Sequence, residues 1–339
     1  MLYQKKLIYK SNPSTISIFF DIRLSPRVDY QQLTAYNKAV ADTQRLLILR
    51  VLARESFGVL ELCRILDINQ PALSHHLKVL SSVNLVETRR QGTSIFYRRA
   101  LIQAHDPLRS LRIGLHEIVD AMPLQEEIEC RTSLVHRDRR DQARQFFEKN
   151  AQSLRENQNQ IADYRQYSEC IESVLANEAV TGKVVEIGSG ESDLVFTLHR
   201  LFESVTVIDN SEEMLDRTRR RLFESGISDI RLIEGELSES GETADMIVLN
   251  MVLHHLASPA RFFEDAACHL NCGGRLLIID LTAHEQNWTR DTCGDLWPGF
   301  DPEELDNWAQ DAGLQQGQSA YLGLKNGFQV QVRTFQKQD

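Results

Sequence analysis

Lys183-Val-Val-Glu-Ile-Gly188-Ser-Gly190-Glu-Ser192 is an apolar, β-branched run that ends in two closely spaced glycines. It reads as a buried strand that delivers a turn to the start of a helix, where backbone without Cβ atoms lets a ligand come close. About twenty residues on, the run Val205–Asp209 ends in a carboxylate. From that position an acidic side chain can hold both hydroxyls of a ribose. Candidate strands at 183–187, 205–209, 230–233, 246–250 and 275–281 alternate with helical stretches such as 212–225 and 259–270, and two late strands are expected near 315–321 and 328–335. Such alternation predicts an α/β domain built on a doubly wound parallel sheet. Glu191 and Asp193 occupy the spot where a dinucleotide fold receives a pyrophosphate. Carboxylates there repel phosphate and suit an uncharged or cationic ligand, such as a nucleoside carrying a sulfonium and an amino acid.

Upstream the periodicity is helical. Asp42-Thr43 is a good N-cap pair for a helix expected to stop near Gly58, a short helix follows at 59–66, and Asn69 caps another with Pro71 in its first turn. Leu73, Leu77 and Leu80 lie on one face of that helix, leaving Gln70, Ser74, His75 and Lys78 on the others. From Leu85 the period becomes two, and Gln91-Gly92 supplies the turn of a β-hairpin ending near Arg98. Helices followed by a hairpin are the order of a winged helix-turn-helix. A further helix is expected at 108–120, and 121–178 reads as a polar but helical connector, its apolar residues from Phe146 to Ile171 recurring at roughly helical intervals. Residues 1–30 show no sustained period and read as a flexible extension, or as an upstream translation of the true start.

A chain of 339 residues exceeds what one core usually supports, so two domains are the expectation. No apolar run approaches the roughly 20 residues of a membrane-spanning helix, no signal-peptide core forms, and six cysteines are too few for a disulfide scaffold, which points to a reduced cytoplasm. The net charge of −10 is unevenly divided: residues 31–100 carry +5, 101–180 carry −4 and 181–339 carry −14. Only the first block is equipped to meet phosphates.

Four ordered segments of the second half, Val185-Glu-Ile-Gly-Ser-Gly190, Val207-Ile-Asp-Asn-Ser-Glu-Glu-Met-Leu215, Asp245–His255 and Gly273–Asp280, resemble the class I S-adenosylmethionine-dependent methyltransferases, a Rossmann-like fold, over about 179–339. The resemblance implies Glu186, Gly188 and Gly190 around the methionine moiety, Asp209 on the ribose, and Asn210 and Met214 beside the adenine. It puts Glu236 at the adenine amine and Asn250 beside the sulfonium. Ser192 replaces the usual third glycine, and Glu236 the usual Asp. The alternative for Asp209 and Glu236 is a solvated loop charge. No general base can be assigned; His254, His255 and His284 are the catalytic candidates, with packing at a strand end as the alternative for the pair. Methyl transfer from a sulfonium can run on proximity and orientation alone. The tail from His284 and Arg290 through Trp297 and Phe300 to Leu305 resembles a segment of regulator–methyltransferase fusions, which would set His284 and Trp297 near the mouth of the pocket.

Asp42–Arg50, Glu61–Leu80 and Leu85–Tyr97 resemble the ArsR/SmtB winged-helix repressors over about 31–120. That resemblance implies a dimer on an inverted-repeat operator of double-stranded DNA, with Gln70, Ser74, His75 and Lys78 in the major groove. Arg45, Arg89, Arg90 and Arg98 are assigned to phosphates. The arsenic-type thiolate pair falls at Gly58 and Leu60, and Cys268 and Cys272 stand as a lone Cys-x-x-x-Cys, so no metal is expected. The two halves together imply a regulator that senses S-adenosylmethionine or S-adenosylhomocysteine. The alternative is an active methyltransferase of a small molecule under ArsR-type control; arsenic methylation lacks the required cysteine spacing.

Overall fold

The computed structural model describes residues 28–338, apart from 92–93, 104, 151–153, 179, 191 and 287. The extension expected at 1–30 lies outside the described residues except for its last three, of which Asp29 caps and Tyr30 begins the first helix. Asp29 and Gln32 form a reciprocal capping box at the start of α1 (Tyr30–Val40).

Helix α2 (Thr43–Val51) is capped by Asp42, whose carboxylate accepts from the Arg45 amide at 3.0 Å. It ends seven residues short of Gly58. The difference lies in Phe57, whose ring is fully buried and whose backbone pairs with Tyr97, so that Phe57–Gly58 form a two-residue strand, β1. Helices α3 (Val59–Leu66) and α4 (Gln70–Ser82) fall where their caps predict. The Asn69 side chain accepts from the Ala72 amide at 3.0 Å, and Pro71 sits where no intrahelical donor is needed. Strands β2 (Val86–Gln91) and β3 (Ser94–Arg99) form the hairpin, with β1 beside β3.

Helices α5 (Arg109–Asp120), α6 (Glu126–Asn150), α7 (Leu154–Ile161) and α8 (Tyr164–Glu178) follow. The connector does not stand apart from the domains. Ile128 and Val135 of α6 complete the N-terminal core, while Tyr167, Ile171, Val174 and Leu175 of α8 are buried in the C-terminal one.

The C-terminal half alternates as its sequence predicts: β4 (Lys183–Ile187), α9 (Leu194–Leu201), β5 (Ser204–Asp209), α10 (Glu212–Glu224), β6 (Arg231–Glu234), α11 (Leu237–Ser240), β7 (Ala244–Asn250), α12 (Pro259–His269), β8 (Leu270–Leu281), α13 (Trp288–Cys293), α14 (Pro302–Asp311), β9 (Leu314–Gly323) and β10 (Gln329–Lys337). The sheet runs β6-β5-β4-β7-β8-β10-β9. Its first five strands are parallel, and the two late strands are antiparallel. Separate apolar layers cover the two faces. Chain direction diverges at β4, whose neighbours lead outward to β5 and back to β7. A crevice opens at the carboxyl ends of the strands at such a switch point. No described helix is long and apolar enough to cross a membrane.

Candidate functional site

The loops after β4, β5 and β7 line two adjoining cavities of about 200 and 150 Å³, which share Gly188, Asp209, Asn210, Val252 and His255. The larger also takes in Gly190, Ser192, Met214 and Asn250, together with Tyr164 and Tyr167 of α8; the smaller is walled by Gly235 and Glu236. Gly188 has φ +64°, and a Cβ there would lie 2.9 Å from the Val252 side chain, so the turn needs glycine for both conformation and space. Met251, directly after Asn250, is held at φ +55°, a strained backbone at the cavity wall.

Two buried carboxylates set the local electrostatics: Asp209 lines both cavities, whereas Glu186, on β4 just before Gly188, lines neither. Glu186 is fully buried, and neither carboxylate oxygen has a hydrogen-bond partner. Burial pushes its pKa up to about 8; Arg221 opposes the shift and Asp209 adds to it. Burial likewise pushes Asp209 up to about 6, against the backbone amides of Ser211 and Gly190 that favour its charge. Asn250 Nδ2 donates to Ser192 Oγ at 2.8 Å, which orients the amide and leaves Oδ1 unpaired. Ser192, the departure from glycine, thus orients Asn250. Glu236 immediately precedes the short helix α11, and its side chain pairs with Arg140 at 3.5 Å across the smaller cavity.

Of the histidine candidates, His254 and His255 line the larger cavity, in a 3-10 turn at Leu253–His255. His254 Nδ1 lies 2.7 Å from Asp280 Oδ1. Burial disfavours the imidazolium, but Asp280 and Asp295 prevail and push its pKa up to about 9. His255 stays neutral: burial and then the charge on His254 hold it well below the ordinary value, and its Nε2 has no partner. Of the pair, only His255 is held in the neutral form. His284 stands apart from both cavities, edge-to-face with Phe328 at 4.9 Å between ring centres, and burial brings it down to about 4. Trp297 is likewise absent from the pocket mouth. It is buried between the two halves, 5.7 Å from the hairpin's Phe96, with its indole N–H on the Leu256 carbonyl at 2.7 Å.

In the N-terminal half, Gln70, Ser74, His75 and Lys78 form an exposed face of α4. The arginines expected on phosphates are placed differently. Arg45 Nη2 donates to the Lys38 carbonyl at 3.0 Å and its Nε to that of Ala39. Arg89 donates to the carbonyls of Pro298 and Gly299. Arg98 reaches Glu87 and Asp301 at 2.7 Å and Glu304 at 2.5 Å. An acidic segment after Trp297 is a closer anion than any phosphate, so the folded chain pairs two of these arginines internally. The side chain of Arg90 lies outside the described residues. Nothing local in the hairpin sequence signals this docking, because Asp301 and Glu304 lie in the other half of the chain.

Arg139 of α6 joins the halves. It pairs with Glu61 at 2.6 Å, donates to the carbonyls of Ser56 and Ala257, and stacks on Phe57, Phe96 and Trp297.

This fold and site define a winged-helix module joined to an α/β domain with a strand-end pocket. Residues 42–88 match the family described as "Bacterial regulatory protein, arsR family", and residues 185–278 match the family described as "Methyltransferase domain". A "Transcriptional repressor SmtB homolog" from Synechocystis sp. is 36% identical over 70 residues, 21% of this chain and 53% of the relative. The "Arsenical resistance operon repressor" of Staphylococcus aureus is 31% identical over 86 residues, 25% of this chain and 83% of that protein. The "2-methyl-6-phytyl-1,4-hydroquinone methyltransferase 1, chloroplastic" of Oryza sativa subsp. japonica is 28% identical over 146 residues, 42% of this chain and 44% of that enzyme. The chain thus spans about half the length of the first of these repressors and less than half of the rice enzyme. It belongs to the arsR family of bacterial regulatory proteins and carries a methyltransferase domain C-terminal to its winged-helix one.

Proposed function

We propose that the chain is a cytoplasmic, dimeric repressor whose operator affinity is set by S-adenosylmethionine or S-adenosylhomocysteine bound in the methyltransferase domain. The site residues fit such a ligand. Glu186, buried without a partner, would take the ammonium, and Asp209 the ribose hydroxyls. Asn210 and Glu236 would flank the adenine in the smaller cavity, with Met214 reaching it from the larger one, Gly188 and Gly190 along the methionine moiety and the unpaired Oδ1 of Asn250 near the sulfonium.

One observation carries the reading. The backbone carbonyl of His254, in the pocket wall, accepts from the amides of Leu296 and Trp297 at 3.0 and 3.1 Å, and the same segment goes on to hold Arg89 and Arg98 of the hairpin. Pocket and hairpin therefore share one stretch of chain. A ligand shifts DNA affinity only through different contacts in two states, and hairpin docking supplies the two states. The docked form is the one of low DNA affinity. An exposed apolar row on α1 and α5, including Tyr30, Leu33, Leu111 and Ile118, supports pairing of two copies.

The test is operator affinity of the full chain with and without each nucleoside, beside Asp209→Ala, which loses charge-assisted bonds each worth about 1.5–3 kcal/mol. Unchanged affinity at millimolar ligand removes the sensor reading. A second reading, methylation of a small molecule, is favoured by the neutral His255, whose Nε2 has no partner, at the junction of both cavities. Transfer of labelled methyl groups to components of a cell extract would establish it.

A further inference from the structure

We propose that His254, His255 and Asp295 form a binding site for a divalent first-row metal ion, with zinc as its reference occupant. One ligand atom from each lies within 4.8 Å of those of the others, and all three side chains are buried. Asp295 Oδ1 stands 3.6 Å from His254 Nε2 and 3.8 Å from His255 Nδ1. These separations exceed a hydrogen bond. They are close to the distance of about 3.4 Å between two ligands of a tetrahedral zinc with bonds of about 2.0–2.2 Å.

Two features indicate that something other than a hydrogen bond belongs at the centre. Neither oxygen of Asp295 makes a hydrogen bond of regular geometry, and the neighbouring Thr289 hydroxyl donates to the Gln286 carbonyl. Carboxylates this deeply buried are otherwise paired or bound to metal. The second feature is the far side of His254, where Nδ1 meets Asp280 at 2.7 Å and Nε2 is thereby turned toward Asp295. A carboxylate behind an imidazole is the usual outer support of a metal-bound histidine.

The larger cavity, which both histidines line, provides an entry path, and its wall includes the buried Cys293 thiol. His255 Nδ1 must release its long 3.3 Å contact to the Gly294 carbonyl to bind. The inference does not depend on which nucleoside, if any, the pocket takes.

The experiment uses the full chain, stripped with a chelator and titrated with Zn²⁺ by calorimetry, followed by X-ray absorption of the loaded wild-type protein. The expected result is one ion per chain and a first shell of nitrogen and oxygen with imidazole scattering and no more than one sulfur. Asp295→Asn should weaken binding by at least tenfold, while the double variant Cys268→Ser/Cys272→Ser leaves it unchanged. Absence of binding to folded wild-type protein would overturn the site, as would a shell of two or more sulfurs or loss of binding in the cysteine variant. The absorption measurement on wild type decides the matter should Asp295→Asn fail to fold.

Discussion

Arg98 of the hairpin and Glu304 of α14 form an ion pair at 2.5 Å, with the glutamate almost completely buried. Burial works against the charge on Arg98, yet Glu304, Asp301 and Glu87 hold its pKa above the ordinary value. Both partners are committed: the arginine is withheld from phosphate, and the carboxylate is withheld from water. Glu304→Gln keeps the backbone-capping geometry at Asp301 while removing the charge. The expected outcome is DNA affinity about tenfold higher, with a salt dependence steeper by up to about two phosphate contacts as Arg89 and Arg98 are freed. Fluorescence anisotropy across a salt series reads both, and an unchanged slope counts against the docked form as the weak state.

Arg139 holds the halves by ion pairing and by three aromatic faces. Arg139→Met keeps the stem and strands Glu61 without its cation, a loss of about 3–5 kcal/mol for a buried pair. Calorimetry should then show two unfolding transitions where the wild type shows one, since the shared contacts that couple the domains are gone.

Glu186 gives a pH signature. Its folded pKa, about 8, lies above the value of the unfolded chain, so the folded state binds the extra proton. Stability attributable to it is therefore present at low pH and falls as pH rises between about 4.5 and 8. Asp209, Arg221 and Tyr164 are the titratable groups around it. Glu186→Gln should flatten this slope, raising the melting temperature at pH 8 relative to wild type. The same substitution should abolish the proton released when an ammonium-bearing nucleoside binds near pH 7, measurable by calorimetry in buffers of different ionisation enthalpy.

Gln70 and Lys78 share the exposed face of α4 but should fail differently. Lys78→Ala is expected to weaken binding to all sequences alike and lower the salt slope by about one, whereas Gln70→Ala should relax discrimination at one base pair by about 1–3 kcal/mol. Competition with single-base operator variants separates the two. Equal loss on every sequence for Gln70→Ala would remove it from base reading.

Legibility of the sequence followed the range of the interactions. Asn69 and Pro71 announce α4 because a cap acts within one turn, and the glycines and terminal carboxylates of β4 and β5 announce the pocket because strand ends place them locally. Arg89 and Arg98 mislead because their partners lie some two hundred residues away, and charge alone does not distinguish a phosphate from a glutamate. Phe57–Gly58 is too short to show a period. Tyr167, Ile171, Val174 and Leu175 carry the right spacing for a buried helix, but spacing does not say which core receives it. Asp280 and Asp295 come to His254 only through the return of β8 and the loop after α13.

Helix α6 places Ile128 and Val135 in one core and Phe147 against His255, 4.9 Å between ring centres, along a single rod of about 37 Å. Inserting one residue between Val135 and Phe147 would swing the distal side chains by about 100° around the axis. Such a joint tolerates length change only in near-whole turns. Lineages that shuffled these halves freely would lose phase between them, so the pair is expected to travel through evolution as one inherited unit.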